Sequence, residues 1–164
     1  MNYLFTNLDK VAGLFLEHLY LVSISLLISI CIATPISIIV SRFKKLQVPV
    51  IGILGVIYTI PSLALFALMI PFIGLGVQPA VTVLVIYTQM ALVRNMVAGI
   101  QGIDPNVIEA AKGMGMDRRR IMWKIIIPLS LPVVVAGVRI ATVSMIGVAT
   151  LAAFINAGGL GELI

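Results

Sequence analysis

Between Lys45 and Arg94 the chain carries no charged side chain. Drawn as one helix, that stretch would be roughly 72 Å long, more than twice the thickness of a bilayer core, so it must turn. The turn signal is Pro71-Phe-Ile-Gly74-Leu-Gly76-Val-Gln-Pro79, dense in Gly and Pro. Two spans result, near 48–70 and 79–98. Leu19 to Val40 is also free of charge, roughly 33 Å as a helix, and ends at Arg42, Lys44 and Lys45. It gives a span near 19–41, loosened in its later half by Pro35, and a further apolar stretch lies at 132–155. With 61% hydrophobic and 10% charged residues in 164, a soluble core could not be covered by polar surface. The expected fold class is therefore all-α integral membrane, with about four spans.

The basic residues set an orientation. Segments 41–47 and 94–124 hold Arg42, Lys44, Lys45, Arg94, Lys112, Arg118, Arg119, Arg120 and Lys124, whereas the other side keeps only Lys10. By the positive-inside rule both segments are expected in the cytoplasm and the N-terminus outside. The net charge of +5 is thus a membrane signal, because no basic stripe on a soluble face points to nucleic acid. Residues 1–18 lack the basic start and cleavage site of a signal peptide. Leu4, Leu8, Val11 and Phe15 fall at helical spacing there, which predicts a short amphipathic helix on the membrane surface. Cys31, the lone cysteine, reads as a small apolar packing residue, and His18, the lone histidine, as an interfacial neighbour of Glu17. Neither these residues nor the dispersed carboxylates have metal-ligand spacing, so no metal site is expected.

The long polar interruption, within 99–128, is patterned as two short helices. Asp104-Pro105 has the order of an N-cap followed by Pro at the first helical position, and Ile103 with Ile108 suits a hydrophobic staple. Glu109 is placed in the first turn, where it suits the helix dipole and can pair with a basic partner. Val107, Ile108, Ala110, Ala111 and Met114 give an apolar surface with small residues at its centre. Gly113 and Gly115 then break the helix, and Asp117 caps a second one that opens with Arg118. Spacing and capping leave two readings open: a helix that docks into a groove of another protein, or a surface helix that only orients the spans around it.

Glu109-Ala110-Ala111, then Gly115, Ile125 and Ile127-Pro128 resemble the E-A-A-x3-G-x9-I-x-L-P motif of bacterial ABC importer permeases, departing only at Ile127. The resemblance implies the fold of a type I ABC importer transmembrane domain over 19–164, with 99–128 as the coupling loop. Its ATPase-coupling residues would be Asp104, Glu109, Ala110, Ala111, Gly113, Gly115 and Arg118. Implied partners are a cytoplasmic ABC ATPase that binds ATP and Mg, a second permease subunit, a substrate-binding protein outside and the membrane lipid. Tyr58-Thr-Ile-Pro-Ser-Leu-Ala-Leu65, Arg94-Asn95, Gly99-Ile100 and Thr150–Gly161 are similar to the osmoprotectant branch, which takes up glycine betaine, carnitine or choline. That branch usually has a further span after the Gly-Gly-Leu-Gly segment, a fifth not present in this chain. Permeases for other small solutes share the same segments.

No phosphate-binding loop and no nucleophile–base pair occurs, so the chain is read as a translocation component, not an enzyme, with no cofactor of its own. An ATP-independent carrier or channel is the alternative, but it lacks intramembrane carboxylates. For the pathway, the polar and helix-loosening residues Thr59, Pro61, Ser62, Thr88 and Gln89 are the candidates. Their alternative role is to satisfy helix carbonyls or to bond between helices. Gly158, Gly159 and Gly161 fit either an outer gate or a plain turn. Arg139, in the fourth apolar stretch, is expected to reach back to the cytoplasmic interface rather than to meet substrate. Tyr20, Tyr58, Phe66, Phe72 and Tyr87 read as scattered, with no aromatic cage.

Overall fold

The computed structural model describes residues 7–164. In hydrocarbon each backbone polar group needs a partner within its own segment, and the apolar runs accordingly fold as helices. They are α1 (Leu8–Arg42), α2 (Lys44–Thr59), α3 (Ser62–Ile73), α4 (Val77–Gln101), α5 (Pro105–Gly113), α6 (Arg118–Ile121) and α7 (Ile127–Thr150). A π-helical turn (Met122–Ile126) fuses α6 to α7, and 3-10 turns follow at Leu151–Ile155 and Leu160–Leu163. Among the described residues three helical stretches are long and apolar enough to cross a membrane, or four if the bent pair α2–α3 counts as one span.

Helix α4 is the centre of the bundle, packed between α1 and α7. The buried side of α1 carries Leu14, His18, Leu21, Ser25, Ser29, Ala33, Ser37 and Val40, at intervals of three and four. Small residues there bring α1 and α4 close together. Two of the three serine hydroxyls there are satisfied within the helix: Ser29 Oγ and Ser37 Oγ donate to the carbonyls of Ser25 and Ala33, each at 2.7 Å, whereas Ser25 Oγ is buried without a partner. From α4, Leu92, Val93 and Val97 close the seam beside Ala33 and Val40.

Four features differ from expectation. First, α1 continues unbroken through 18–19, so Leu8, Val11 and Phe15 belong to the long helix, while Leu4 lies outside the described residues. Nothing between Leu8 and Leu19 breaks a helix. Second, the stretch at 48–70 is not one straight span, since α2 and α3 meet at 94°. Pro61 has no N–H, and it disfavours helical backbone at Ile60, which sits at φ −67°, ψ 127°. Third, the last long helix starts at Arg118 rather than near Pro132. Pro128 is accommodated just after the π-helical turn, where the Ile127 N–H reaches the Met122 carbonyl. Fourth, His18 is buried beside Gly159, and Cys31 is exposed because it falls out of phase with the Ser29–Ala33 side of α1.

The Gly-Pro turn lies where the sequence places it, with Gly74 and Gly76 at φ +88° and +109°. It is pinned by the Gly76 N–H, which donates to the Ile155 carbonyl at 2.7 Å. At the same end, the Gly159 N–H donates to Glu17 Oε2 at 3.0 Å, joining α1 to the last turn. Gly158 and Gly159 have φ of +76° and +88°, so this segment forms a turn against α1 that only glycine enters without strain.

Candidate functional site

At the opposite, basic end of the bundle, α5 stands between the ends of α4 and α6. Asp104 caps it, its carboxylate accepting from the Asn106 N–H at 2.9 Å, and Pro105 occupies the first turn. The other end closes as a Schellman motif. Gly115 adopts φ +78°, the Met116 N–H reaches the Ala111 carbonyl at 3.1 Å, and the Gly115 N–H reaches Lys112 at 2.9 Å. Gly113, expected to break the helix, is its last residue; Gly115 alone turns left-handed. Glu109 is the fifth helical residue and not in the first turn, so the dipole contributes little there. Asp117 caps α6 by accepting from the Arg120 N–H at 3.1 Å.

Burial divides α5 into two sides. Ala111 is fully buried, with Ile103 and Ile121 also inside, and these anchor the segment to the bundle. Glu109, Ala110, Gly113 and Gly115 are exposed, and Met114 is 75% exposed, so an apolar surface with one carboxylate points away from the bundle. Glu109 has no ion-pair partner among the described residues, and the one ion pair found there is Arg120–Asp117, at 3.6 Å and mostly exposed. Such a pair contributes little to stability. Arg118, with Arg42, Lys112 and Ile108, lines the cleft between α5 and the ends of α1 and α4.

The pathway candidates separate. Thr59 Oγ1 donates to its own helix at Val56 (2.7 Å), just before the bend that Pro61 and Ser62 form. Thr88 and Gln89 are both buried. Thr88 Oγ1 donates to Leu84 at 2.6 Å, and Gln89 Nε2 bridges to the carbonyls of Ser29 (3.3 Å) and Val85 (3.2 Å) across the α1–α4 seam. Gln89 is thus an interhelical tie. What the sequence did not bring together is Tyr58 and Tyr87, whose rings stand 4.8 Å apart, tilted by 38°, at the edge of a crevice that also includes Thr88. They are distant in sequence, and no local pattern links them. Arg139 is exposed on α7 in a neighbouring hollow with Pro132, Ala136 and Val143.

A family model described as "Binding-protein-dependent transport system inner membrane component" matches residues 20–164. The chain is 39% identical over 168 residues to the glycine betaine/carnitine/choline transport system permease protein OpuCB of Bacillus subtilis (strain 168), covering 100% of this chain and 77% of that one. It is 40% identical over 170 residues to the osmoprotectant import permease protein OsmW of Salmonella typhimurium, covering 100% and 79%. It is also 40% identical over 148 residues to the carnitine transport permease protein OpuCB of Listeria monocytogenes, covering 90% and 68%. Its fold is similar to a chain of the MetNI methionine ABC transporter in an inward-facing conformation, with a TM-score of 0.82 at 25% identity, over 93% of this chain and 77% of that one.

Proposed function

The chain belongs to the binding-protein-dependent transport system inner membrane components, and from that membership we propose that α5 couples it to a cytoplasmic ATPase during import of a small quaternary ammonium solute. It is a non-catalytic permease component of an ABC importer. The observation that carries the coupling role is the exposed, doubly capped α5 at the basic end of an otherwise apolar bundle.

The mechanism follows from how α5 is tied. Only three residues separate it from α4, the central helix, and α6 leads without interruption into α7. Ala111, Ile103 and Ile121 hold its inner side to the bundle. A partner that grips Ala110 and Met114 and pairs with Glu109 therefore moves the ends of α4 and α7 together. Two such subunits, each moved by one ATPase, alternate a shared cavity between inward- and outward-facing states. Asp104 and Gly115 keep α5 rigid enough to transmit that motion, while Gly113 and Arg118 sit at its exit. Thr59, Pro61 and Ser62 form the bend of the α2–α3 pair and give that wall of the pathway a joint. The cargo is read as glycine betaine, carnitine or choline, the solutes named for relatives of similar sequence. A substrate-binding protein outside delivers it.

The test is reconstitution of the permease with its ATPase and receptor in proteoliposomes. Glu109→Arg and Gly115→Leu are expected to cut ATP-dependent uptake at least about tenfold, the scale of losing a charge-assisted contact, while the permease still inserts and dimerises. Uptake at the unmodified rate in both variants would refute the coupling role.

A further inference from the structure

The basic cleft beside α5 opens into a second space. Ile38, Ile100, Met122 and Ile126 line the cleft and also a groove that runs on between α1, α4 and the fused α6–α7 helix. The groove measures about 330 Å³ and the cleft about 530 Å³. No ionisable side chain lines the groove. Its three hydroxyls are spent within their own helices, Thr34 on Ile30, Ser37 on Ala33 and Ser130 on Ile127. The surface left open is therefore hydrocarbon. From Met122 to Val134 the groove extends roughly 18 Å along the fused helix, and the hydrocarbon of one leaflet is roughly 15 Å deep. A further helix, about 10 Å across, would take up roughly 1,400 Å³ over that length, so it covers the groove without filling it. An acyl chain is thin enough to enter.

The mouth has the opposite chemistry. Arg42, Lys112 and Arg118 line the cleft, all three exposed and none in an ion pair among the described residues. No carboxylate lines it, and Ser41 Oγ on its wall lacks a hydrogen-bond partner. Trp123 borders the groove and is 70% exposed, and tryptophan favours the headgroup level of a bilayer. Three unpaired cations above an apolar groove complement an anion that carries a hydrocarbon tail. The positive-inside rule assigns this end of the bundle to the cytoplasmic leaflet, where anionic lipids gather basic side chains.

We propose that the cleft and groove bind one anionic phospholipid, its phosphate held by Arg42, Lys112 and Arg118 and one acyl chain laid between α1 and the fused helix. The headgroup meets α1 through Arg42 and α5 through Lys112, so the lipid ties α5 to the end of α1. At 3.6 residues per turn Ile108 and Lys112 share one side of α5, and Ala110 and Met114 lie on the opposite one. A bound lipid therefore leaves the exposed apolar side of α5 free. The site goes beyond the coupling and cargo readings and depends on neither.

The experiment places the complete transporter, full-length permease with ATPase and receptor, in phosphatidylcholine vesicles with phosphatidylglycerol as the anionic probe. Trp123 is the one tryptophan in these 164 residues and borders the groove, so brominated acyl chains that enter it quench its fluorescence. The Trp123→Phe complex supplies the background. At equal mole fraction, brominated phosphatidylglycerol should be preferred to brominated phosphatidylcholine about fivefold or more, and added salt should erode that preference. Arg42→Gln with Lys112→Gln should bring the two lipids close to parity. Lys44→Gln with Lys45→Gln removes the same charge outside the cleft and should stay within about twofold of wild type. The salt series needs no variant, so it decides the matter where a double variant fails to assemble. Equal quenching by both lipids, a preference indifferent to salt, or equal effects of the two double variants would overturn the site. No quenching by either lipid would overturn it as well, since protein would then cover the groove. Uptake is not the readout, so the site stands or falls apart from the coupling role.

Discussion

Gly137 on α7 faces Asn95 on α4 so closely that a Cβ at 137 would collide with the asparagine's own Cβ. Asn95 is not free to withdraw, since its Nδ2 donates to the Ala91 carbonyl at 2.8 Å. Nearby, Gly99 repeats the pattern in reverse: a Cβ there would stand 3.2 Å from the Ser130 carbonyl oxygen and from Val133 Cβ. Absent side chains thus set the distance between the two helices, because packing is what associates helices in lipid. Gly52, by contrast, opens onto empty space. Gly137→Val is therefore expected to destabilise the detergent-solubilised protein by about 1–3 kcal/mol or more, as overpacking does. Gly52→Ala should stay within about 0.5 kcal/mol of wild type or improve on it slightly. Thermal melts followed by circular dichroism check both, and equal midpoints for the two variants would contradict this account of the interface.

Among the elements, α5 depends on its two ends. Nine residues make too few internal bonds to hold a helix in water, so the Asp104 cap and the left-handed Gly115 carry much of its order. Asp104→Ala is expected to cost about 1 kcal/mol, and Gly115→Ala roughly 1–2 kcal/mol for placing a Cβ at positive φ. Hydrogen exchange of the amides at 107–113 should accelerate about fivefold or more in each variant, with α4 unaffected. Unchanged rates would mean that tertiary packing of Ala111 alone orders the helix. These caps were legible in the sequence because capping is local: the acceptor at Asp104 meets a donor two residues away. The Pro61 bend was half legible. Proline marks where a helix loosens, but a 94° angle depends on what α3 packs against. The continuity of α1 was hidden, since an apolar surface helix and the start of a long span share one periodicity.

For the whole molecule, the informative contrast is between the two ends of the bundle. Arg42, Lys112 and Arg118 line one cleft. At the other end Glu17 and Glu162 line a hollow with Asn156 and Gly158. Charge counting along the sequence anticipated the first group, because basic residues cluster in two segments. It had no access to the second, where Glu17 meets Gly159 across 142 positions. Nor had it any way to pair Tyr58 with Tyr87. The asymmetry nonetheless makes an orientation testable. If the positive-inside rule holds, α5 faces the cytoplasm, and Glu162 faces outward. Cys31 is the one native thiol, so Cys31→Ser gives a silent background. On it, Asn106→Cys should react with a membrane-impermeant maleimide only in inside-out vesicles, and Glu162→Cys only in intact cells. Both positions are exposed, so access depends on sidedness alone. The opposite labelling pattern would put α5 on the side without ATP, and coupling through Glu109 to a cytoplasmic ATPase would then fail together with the orientation.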